Sequence, residues 1–352
     1  LKLLSASDRE VIETHLCRRL DEALAGDQLP ALRAALKSYV LIGGGKRVRP
    51  QLVVWTWRHA TGASPEAAVP AAVLDLAAGW ELFHAFLLVH DDIIDGADHR
   101  RGLPSLHKEL ANLDHGCPRF GTNLGIVAGD LLFTAALQIW HEMDLPPTPY
   151  RDVLRLLSKI ASITGYGQAV DILATQLPLE QVDEATLLRE YHWKTAAYTF
   201  EGPMLSAAVV AGLAESARQS ISDFSLAIGQ AYQLHNDLLD LNQPAHEGCD
   251  LVEGKRTVAL IRARGAMDAG RRERFDARFA TLATANGSAV GLAEELRQEL
   301  LATGVVERTR DLIDQLGRQA ETSLANPQLP PSLRAGMAGL LGSFRAEYFA
   351  KV

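Results

Sequence analysis

Cysteine is scarce in this chain. Its 352 residues hold three, Cys17, Cys117 and Cys249, widely spaced and odd in number, which excludes a disulfide framework and a Cys-based zinc site and fits a reducing, cytoplasmic setting. Aromatic residues make up only 6% and β-branched residues are thin, while alanine and leucine dominate, so helices are favoured over sheets. Positive charge is not in excess. The formal net charge of -8 argues against nucleic acid as the main partner. No apolar run of transmembrane length is free of charge, so no stable membrane span is expected, and no signal peptide pattern stands at the start. Phosphate-cradling Gly-x-x-x-x-Gly-Lys-Ser/Thr spacing is absent, as are Ser-His-Asp and Cys-His nucleophile arrangements. Low-complexity linkers and solenoid-period repeats are missing too, so residues 1–352 read as a single all-α domain.

Helix punctuation supports that reading. Ser7-Asp8-Arg9-Glu10 has capping-box form, and Pro30 opens a second helix that ends at the glycines before Lys46. A third spans about Arg47 to Ala60 and stops at Thr61-Gly62. Ser64-Pro65-Glu66 predicts a start from which helix continues to Asp95, interrupted near Pro70. Residues 96 to 104 and 112 to 118 read as loops. Helical stretches follow at roughly 121–143, 150–176, 184–201, 203–213 and 216–242. Shorter helices come after loop 243–250.

What the chain does contain is an acidic cluster written almost twice: His90-Asp91-Asp92-Ile93-Ile94-Asp95 and His235-Asn236-Asp237-Leu238-Leu239-Asp240. Each ends an apolar, helical stretch, where carboxylates are rarely tolerated unless something pairs with them. On a helix Asp91 and Asp95 share a face, as do Asp237 and Asp240, with Asp92 a quarter-turn round. Carboxylates one turn apart repel unless cations lie between them. All-oxygen ligands suit Mg²⁺, which takes the rest of its shell from water and substrate phosphate. Two copies predict two walls of one cavity around shared cations. The bland alternative is a solvated acidic helix end, weaker for the first cluster than for the second. Asn236 answers Asp91 with a carbonyl oxygen but no charge.

Bound diphosphate also needs protein cations. Lys46, Arg47 and Arg49 follow a glycine run, and Lys46 and Arg49, three apart, are expected to share a helix face. Arg100-Arg101-Gly102 lies just beyond Asp95, and Lys194-Thr195 and Lys255-Arg256-Thr257 add cation–hydroxyl pairs. Each is weak alone, since most lysines are simply solvated.

Taken together these segments resemble the trans-isoprenyl diphosphate synthase family, the polyprenyl synthetases. The resemblance rests on Gly-Gly-Lys-Arg-Val-Arg-Pro (44–50), His-Asp-Asp-Ile-Ile-Asp-Gly (90–96) with Arg-Arg-Gly (100–102), and Gly-Gln-Ala-Val-Asp (167–171). It continues through Lys-Thr (194–195), Tyr-Gln-Leu-His-Asn-Asp-Leu-Leu-Asp (232–240) and Glu-Gly-Lys-Arg-Thr (253–257), all in the family's order. The resemblance implies an all-α helical bundle with a central cavity, usually a homodimer. Its members condense isopentenyl diphosphate head to tail with an allylic prenyl diphosphate. It implies that Asp91 and Asp95, with Asp92, Asn236, Asp237 and Asp240, bind Mg²⁺ (about three ions per site, Mn²⁺ as substitute). Arg100, Lys194, Thr195, Gln233 and Lys255 would meet the allylic diphosphate. Lys46, Arg49, His84 and Arg101 would hold isopentenyl diphosphate. Ionisation at the metal-bound diphosphate would make an allylic cation beside Thr195 and Gln233, and the released diphosphate would take the final proton.

Product length should depend on what blocks the cavity below the first cluster. Trp80, His84, Leu87 and Leu88 fall on the Asp91/Asp95 side of an ideal wheel, with Trp80 about 16 Å down as a floor. The resemblance points instead to Phe86 and Leu87 before the first Asp, a pattern similar to geranylgeranyl (C20) and next farnesyl (C15) diphosphate synthases. On the wheel Phe86 lies about 140° from Asp91. Phe83 and Phe86 also read as ordinary core aromatics. Two positions depart from the family: Asn236, and His246 where many members carry Lys. Asn236 admits one rival reading, a terpene cyclase or unusual prenyltransferase on the same fold. A further alternative is a non-catalytic regulatory partner of an active synthase, against which the intact first cluster and the set Lys46, Arg49 and Arg101 count.

Overall fold

The structure, a computed structural model, describes residues 3–26, 29–41, 45–100, 102–246, 248–283 and 290–346. The chain is all-α. The only strands among the described residues are the two-residue pair β1 (His99–Arg100) and β2 (Leu103–Pro104), an antiparallel clip inside the loop expected at 96–104. The chain divides into two compact units, Leu1–Leu157 with Pro203–Leu213, and Ser158–Gly202 with Ala214–Val352.

The first unit holds α1 (Ala6–Ala23), α2 (Pro30–Leu41), α3 (Val48–Thr61), α4 (Ala71–Ile94), α5 (Leu106–Ala111) and α6 (Pro118–His141). Ser5, not Ser7, caps α1, because the Ser5 hydroxyl accepts the Asp8 N–H at 3.0 Å and Ser7 already lies in the first turn. The helix expected from Ser64-Pro65 onward starts only at Ala71. Pro70 biases Val69 away from helical backbone and itself becomes the N-cap. From Ala72 to Phe83 α4 is buried on every side, as expected of a helix apolar all round. Both α4 and α6 are long and apolar enough to cross a membrane by length and composition. In α4, 72% of the apolar window is buried in the fold, whereas in α6 only 39% is. Phe120, Ile126, Val127 and Leu131 stand exposed on α6.

Buried charge in this unit is paired. Arg19 meets Asp75 at 2.9 Å and Glu142 at 2.7 Å, and Arg58 meets Asp8 at 2.6 Å.

The second unit holds α8 (Glu184–Tyr191), a π-helical stretch His192–Glu201, α10 (Glu215–Asn242), α11 (Val258–Gly265), α12 (Ala269–Ala283), α13 (Val290–Leu301), α14 (Val305–Ser323) and α15 (Pro331–Phe344). Helices α7 (Pro147–Gln176) and α9 (Gly202–Val210) run across the division between units. In α14 the buried residues Val305, Thr309, Leu312, Ile313, Leu316 and Ala320 recur at three and four, one apolar stripe on a charged helix. Of these, Val305, Leu312, Ile313 and Leu316 join Tyr191, Leu234, Leu238, Val258, Phe275 and Phe279 in the core of the unit.

Candidate active site

The first acidic cluster occupies the C-terminal turn of α4, where unpaired carbonyls make negative charge least welcome. Gly96, left-handed at φ 66°, ends the helix, and the Ala97 N–H caps the Asp92 carbonyl at 2.9 Å. The β1–β2 clip then returns Arg100 to the cluster. Its Nε donates to Asp92 Oδ1 at 2.6 Å, and its Nη2 lies 3.6 Å from Asp91 Oδ2. Burial opposes the Arg100 charge, but the bond to Asp92 and the charges of Asp92 and Asp91 outweigh it and hold the guanidinium above its ordinary pKa. Asp92 is wholly buried, and its Oδ2 has no hydrogen-bond partner among the described residues. Asp91 and Asp95 are half-buried. The cluster thus splits: Asp92 is tied to Arg100, while Asp91 and Asp95 are the more open pair.

Of the basic set expected for isopentenyl diphosphate, Lys46 is exposed, Arg49 buried and His84 half-buried. Arg101 lies outside the described residues, as do Gly43 and Gly44. Lys46 and Arg49 do not share a helix face, because α3 begins at Val48. Arg47, read as the helix start, is instead left-handed at φ 46°, with its guanidinium 2.7 Å from both Glu13 and Glu81. Burial disfavours the Arg47 charge, yet Glu81 and Glu13 hold its pKa up. Those two carboxylates have no role in the sequence reading, where Arg47 figures only as one member of the basic run. The Lys/Arg-rich run gave no sign that its middle residue turns inward.

Among the proposed chain-length residues, Trp80 is fully buried, and its indole N–H donates to Ser206 at 3.1 Å. Phe83 packs among Trp80, Phe133 and Trp140 at ring separations of 5.9 to 6.1 Å. Phe86 is half-buried, 5.0 Å from Phe133 and 4.8 Å from His90. Leu87 is half-buried as well. Phe133 and Trp140, on α6, escaped the sequence reading because nothing local ties them to α4.

In the second unit, α10 carries the second cluster. Asp237 is buried, Asn236 and Asp240 are half-buried. Gln233, one turn before Asp237, donates its Nε2 to Asp237 Oδ1 at 3.0 Å and accepts from Thr195 Oγ1 at 3.3 Å. The Tyr191 hydroxyl donates to Asp237 Oδ2. Asp240 Oδ2 accepts the Asp250 N–H at 3.1 Å, and Lys255 pairs with Glu253 at 2.6 Å. Lys194 pairs with Asp171. Asp237, Asp240, Asp250, Lys255 and Thr257 line one recess together with Leu241, Leu251, Leu260 and Leu300.

Lys194 and Thr195 sit in the π-helical stretch, where a helical run was expected to continue evenly from 184 to 201. Two glycines seat it. A Cβ on Gly167 of α7 would fall 2.3 Å from the Lys194 nitrogen, and one on Gly229 of α10 would fall 2.2 Å from Ala196 Cβ. A His192–Glu201 pair at 3.0 Å joins its ends.

Electrostatically this recess is short of positive charge. Burial, reinforced by the Asp250 carboxylate, pushes Asp237 well above the usual carboxylate range. Burial raises Asp240 too, and burial with the Asp240 charge pushes Asp250 up to about 6 against the pull of Lys255. Burial and then Asp171 drive Glu190 well up, although Lys194 opposes them. Among the described residues no three His, Cys, Asp or Glu side chains are grouped as a ready metal cage. Underbalanced carboxylates of this kind suit a hard divalent cation, which prefers oxygen ligands.

A family profile decides the lineage: the polyprenyl synthetase pattern matches residues 30–290, most of the chain. The chain belongs to the polyprenyl synthetase family. Geranylgeranyl diphosphate synthase of Methanosarcina mazei is 29% identical over 256 residues, covering 71% of this chain and 72% of that protein. Octaprenyl diphosphate synthase of Escherichia coli is also 29% identical, over 86% of each chain. A solved structure of geranylgeranyl pyrophosphate synthase from Corynebacterium glutamicum, complexed with isoprenyl diphosphate and magnesium, matches with a TM-score of 0.82 and 26% identity. It covers 96% of this chain and 98% of that one. Polyprenyl synthetases similar to this chain therefore differ widely in product length, and membership alone does not set it.

Proposed function

We propose that this polyprenyl synthetase is a Mg²⁺-dependent trans-prenyltransferase that adds isopentenyl diphosphate to an allylic diphosphate and releases a short linear product, C20 first and C15 next. The observation that carries the reading is the bridge Thr195–Gln233–Asp237, which joins a hydroxyl, an amide and a buried carboxylate in one hydrogen-bonded line. In the first unit Asp91 and Asp95, and in the second Asp237 and Asp240 with Asn236 as a neutral oxygen donor, would each bind Mg²⁺. Bound Mg²⁺ would offset charge on the departing diphosphate. Asp92 keeps Arg100 in place beside Asp91. Lys194 and Lys255, each held by a carboxylate, present ammonium groups to the allylic diphosphate. Thr195 and Gln233 offer oxygen dipoles to the carbon left electron-poor. Lys46, Arg49, His84 and Arg101 would bind the diphosphate of isopentenyl diphosphate.

The exposed apolar residues Phe120, Ile126, Val127 and Leu131 of α6 support a homodimer that covers this face. Light scattering reads the mass directly, and a monomer at micromolar concentration would remove the dimer.

A second reading is favoured by Asn236 alone, a terpene cyclase acting on the allylic diphosphate without isopentenyl diphosphate. Incubation with Mg²⁺, isopentenyl diphosphate and each allylic primer, followed by mass spectrometry of products, separates the two. Elongated linear diphosphate is expected. Hydrocarbon or alcohol from the allylic substrate alone, or no turnover with any pair, would sink the proposal.

A further inference from the structure

Tyr191 ends α8, immediately before the π-helical stretch that carries Lys194 and Thr195. It is 4% exposed, and its hydroxyl has two partners, Asp237 Oδ2 on α10 and the N–H of Val258 at the start of α11, 3.0 Å away. The proton's place follows from chemistry. A backbone N–H can only donate, so the phenol accepts from Val258 and must spend its single hydrogen on Asp237. Among the described residues, Gln233 Nε2 is the donor to the other oxygen, Asp237 Oδ1. Asp237 is therefore gripped once on each oxygen and keeps a free lone-pair direction on both. Its neighbour Asn236 is uncharged, so the fixed negative charge of this cluster rests on Asp237 and Asp240.

We propose that Tyr191 is a positioning residue: its hydroxyl aims Asp237, and through the Val258 N–H it ties the Lys255–Thr257 segment to the same carboxylate. This rests on the prenyltransferase reading for its chemistry, but its geometry is independent of it. A tyrosine at the end of a helix would otherwise serve only as core, and its ring does pack in the core with Leu234, Leu238 and Val258. The hydroxyl is what goes further. It joins three segments that each bring one part of the diphosphate-directed set: Lys194 and Thr195, Asp237, and Lys255.

The test is a double-mutant cycle of Tyr191→Phe and Asp237→Asn, read in three ways on the full-length protein. Tyr191→Phe should lower kcat by about 10- to 100-fold and raise the Mg²⁺ concentration for half activity several-fold, as loss of an orienting partner does. KM for isopentenyl diphosphate should stay within about twofold. In the Asp237→Asn background the same Tyr→Phe change should cost less than about twofold, because the residue it acts through is already neutral. Thermal stabilisation by Mg²⁺ with inorganic diphosphate, measured without turnover, should fall in Tyr191→Phe. Equal cost in both backgrounds, or unchanged Mg²⁺ response in folded Tyr191→Phe, would overturn the proposal. If Tyr191→Phe alone does not fold, the cost of the same change in the Asp237→Asn background decides, and a loss well above twofold there would overturn the proposal. If wild type makes no prenyl product, the prenyltransferase reading fails while the stabilisation comparison still judges Tyr191.

Discussion

Arg100 closes over Asp92, its Nε 2.6 Å from a carboxylate that is itself wholly buried at the negative end of α4. A charge so placed needs its counter-ion in the folded state, and no second donor among the described residues reaches the other oxygen. Asp92 is therefore the anchored member of the cluster, and Asp91 and Asp95 are its more open pair.

Arg100→Gln should leave Asp92 buried without compensation. Removing one partner of a buried pair costs about 3–5 kcal/mol, and partial exposure of Arg100 brings the expected loss to about 2–3 kcal/mol. Urea denaturation reads it. Arg100→Gln with Asp92→Asn should recover more than half the loss, because the pair couples. A single variant within about 0.5 kcal/mol of wild type would show that Asp92 does not depend on Arg100.

Asp250 gives a pH signature with a definite sign. Its folded pKa is pushed up to about 6 by burial and by Asp240, while Glu253 and Asp171 add to the rise and Lys255 opposes it; unfolded, it titrates near ~3.9. The folded state therefore binds the extra proton between those values. Relative to a neutral side chain, Asp250 stabilises fully below about pH 4 and loses that contribution as pH rises through about 6. Asp250→Asn should accordingly raise the Tm of metal-free protein by about 2–4 °C at pH 8 and by about half as much at pH 5. Differential scanning calorimetry in EDTA checks this. A gain that is larger at pH 5 would reverse the sign of the argument.

How far the sequence anticipates this depends on whether the cause is local. The stripe of α14, the start of α2 at Pro30 and the stop of α3 at Gly62 follow from periodicity and backbone chemistry, and they are legible. The acidic repeats and the order of the basic segments are legible for the same reason, since each is contiguous. The left-handed turn of Arg47 toward Glu13 and Glu81 is not, because its cause lies 34 residues away on either side. Nor is the π-helical stretch, for no residue in His192–Glu201 forbids an α-helix. Its seat is made by Gly167 and Gly229, remote in sequence. The roles of Tyr191 and Asp250 are hidden likewise, since they arise only when α8, α10 and the loop after it are brought together.

Asn236 offers a sharper test of the reaction than of the fold. It is half-buried beside a cluster already crowded with carboxylates. If it serves as a weak oxygen ligand, Asn236→Asp should keep or raise kcat and lower the Mg²⁺ needed for half activity, since a carboxylate binds the ion more strongly. Steady-state assays across a Mg²⁺ titration measure both. A loss of activity above about tenfold would mean that the amide itself is required, and the cyclase reading would gain.

Leu87 is the last position at issue, because it separates two accounts of product length. Trp80 and Phe83 are locked in the core, Trp80 by its bond to Ser206 and Phe83 by the rings of Trp80, Phe86, Phe133 and Trp140, so neither can yield to a growing chain without breaking that packing. Phe86 leans on Phe133 and His90, in keeping with its place on the wheel away from Asp91. Leu87 is half-buried one residue on, on the Asp91 side of α4. Leu87→Phe adds an aromatic ring about one turn before Asp91 and should shorten the main product by one isoprene unit, with kcat for the first condensation changed less than about threefold. Phe86→Ala, by contrast, should loosen packing against α6 and cost about 2–4 kcal/mol with little change in product. Chromatography of the dephosphorylated alcohols reads both. Unchanged length in Leu87→Phe together with longer product in Phe86→Ala would move the limiting wall from Leu87 to Phe86.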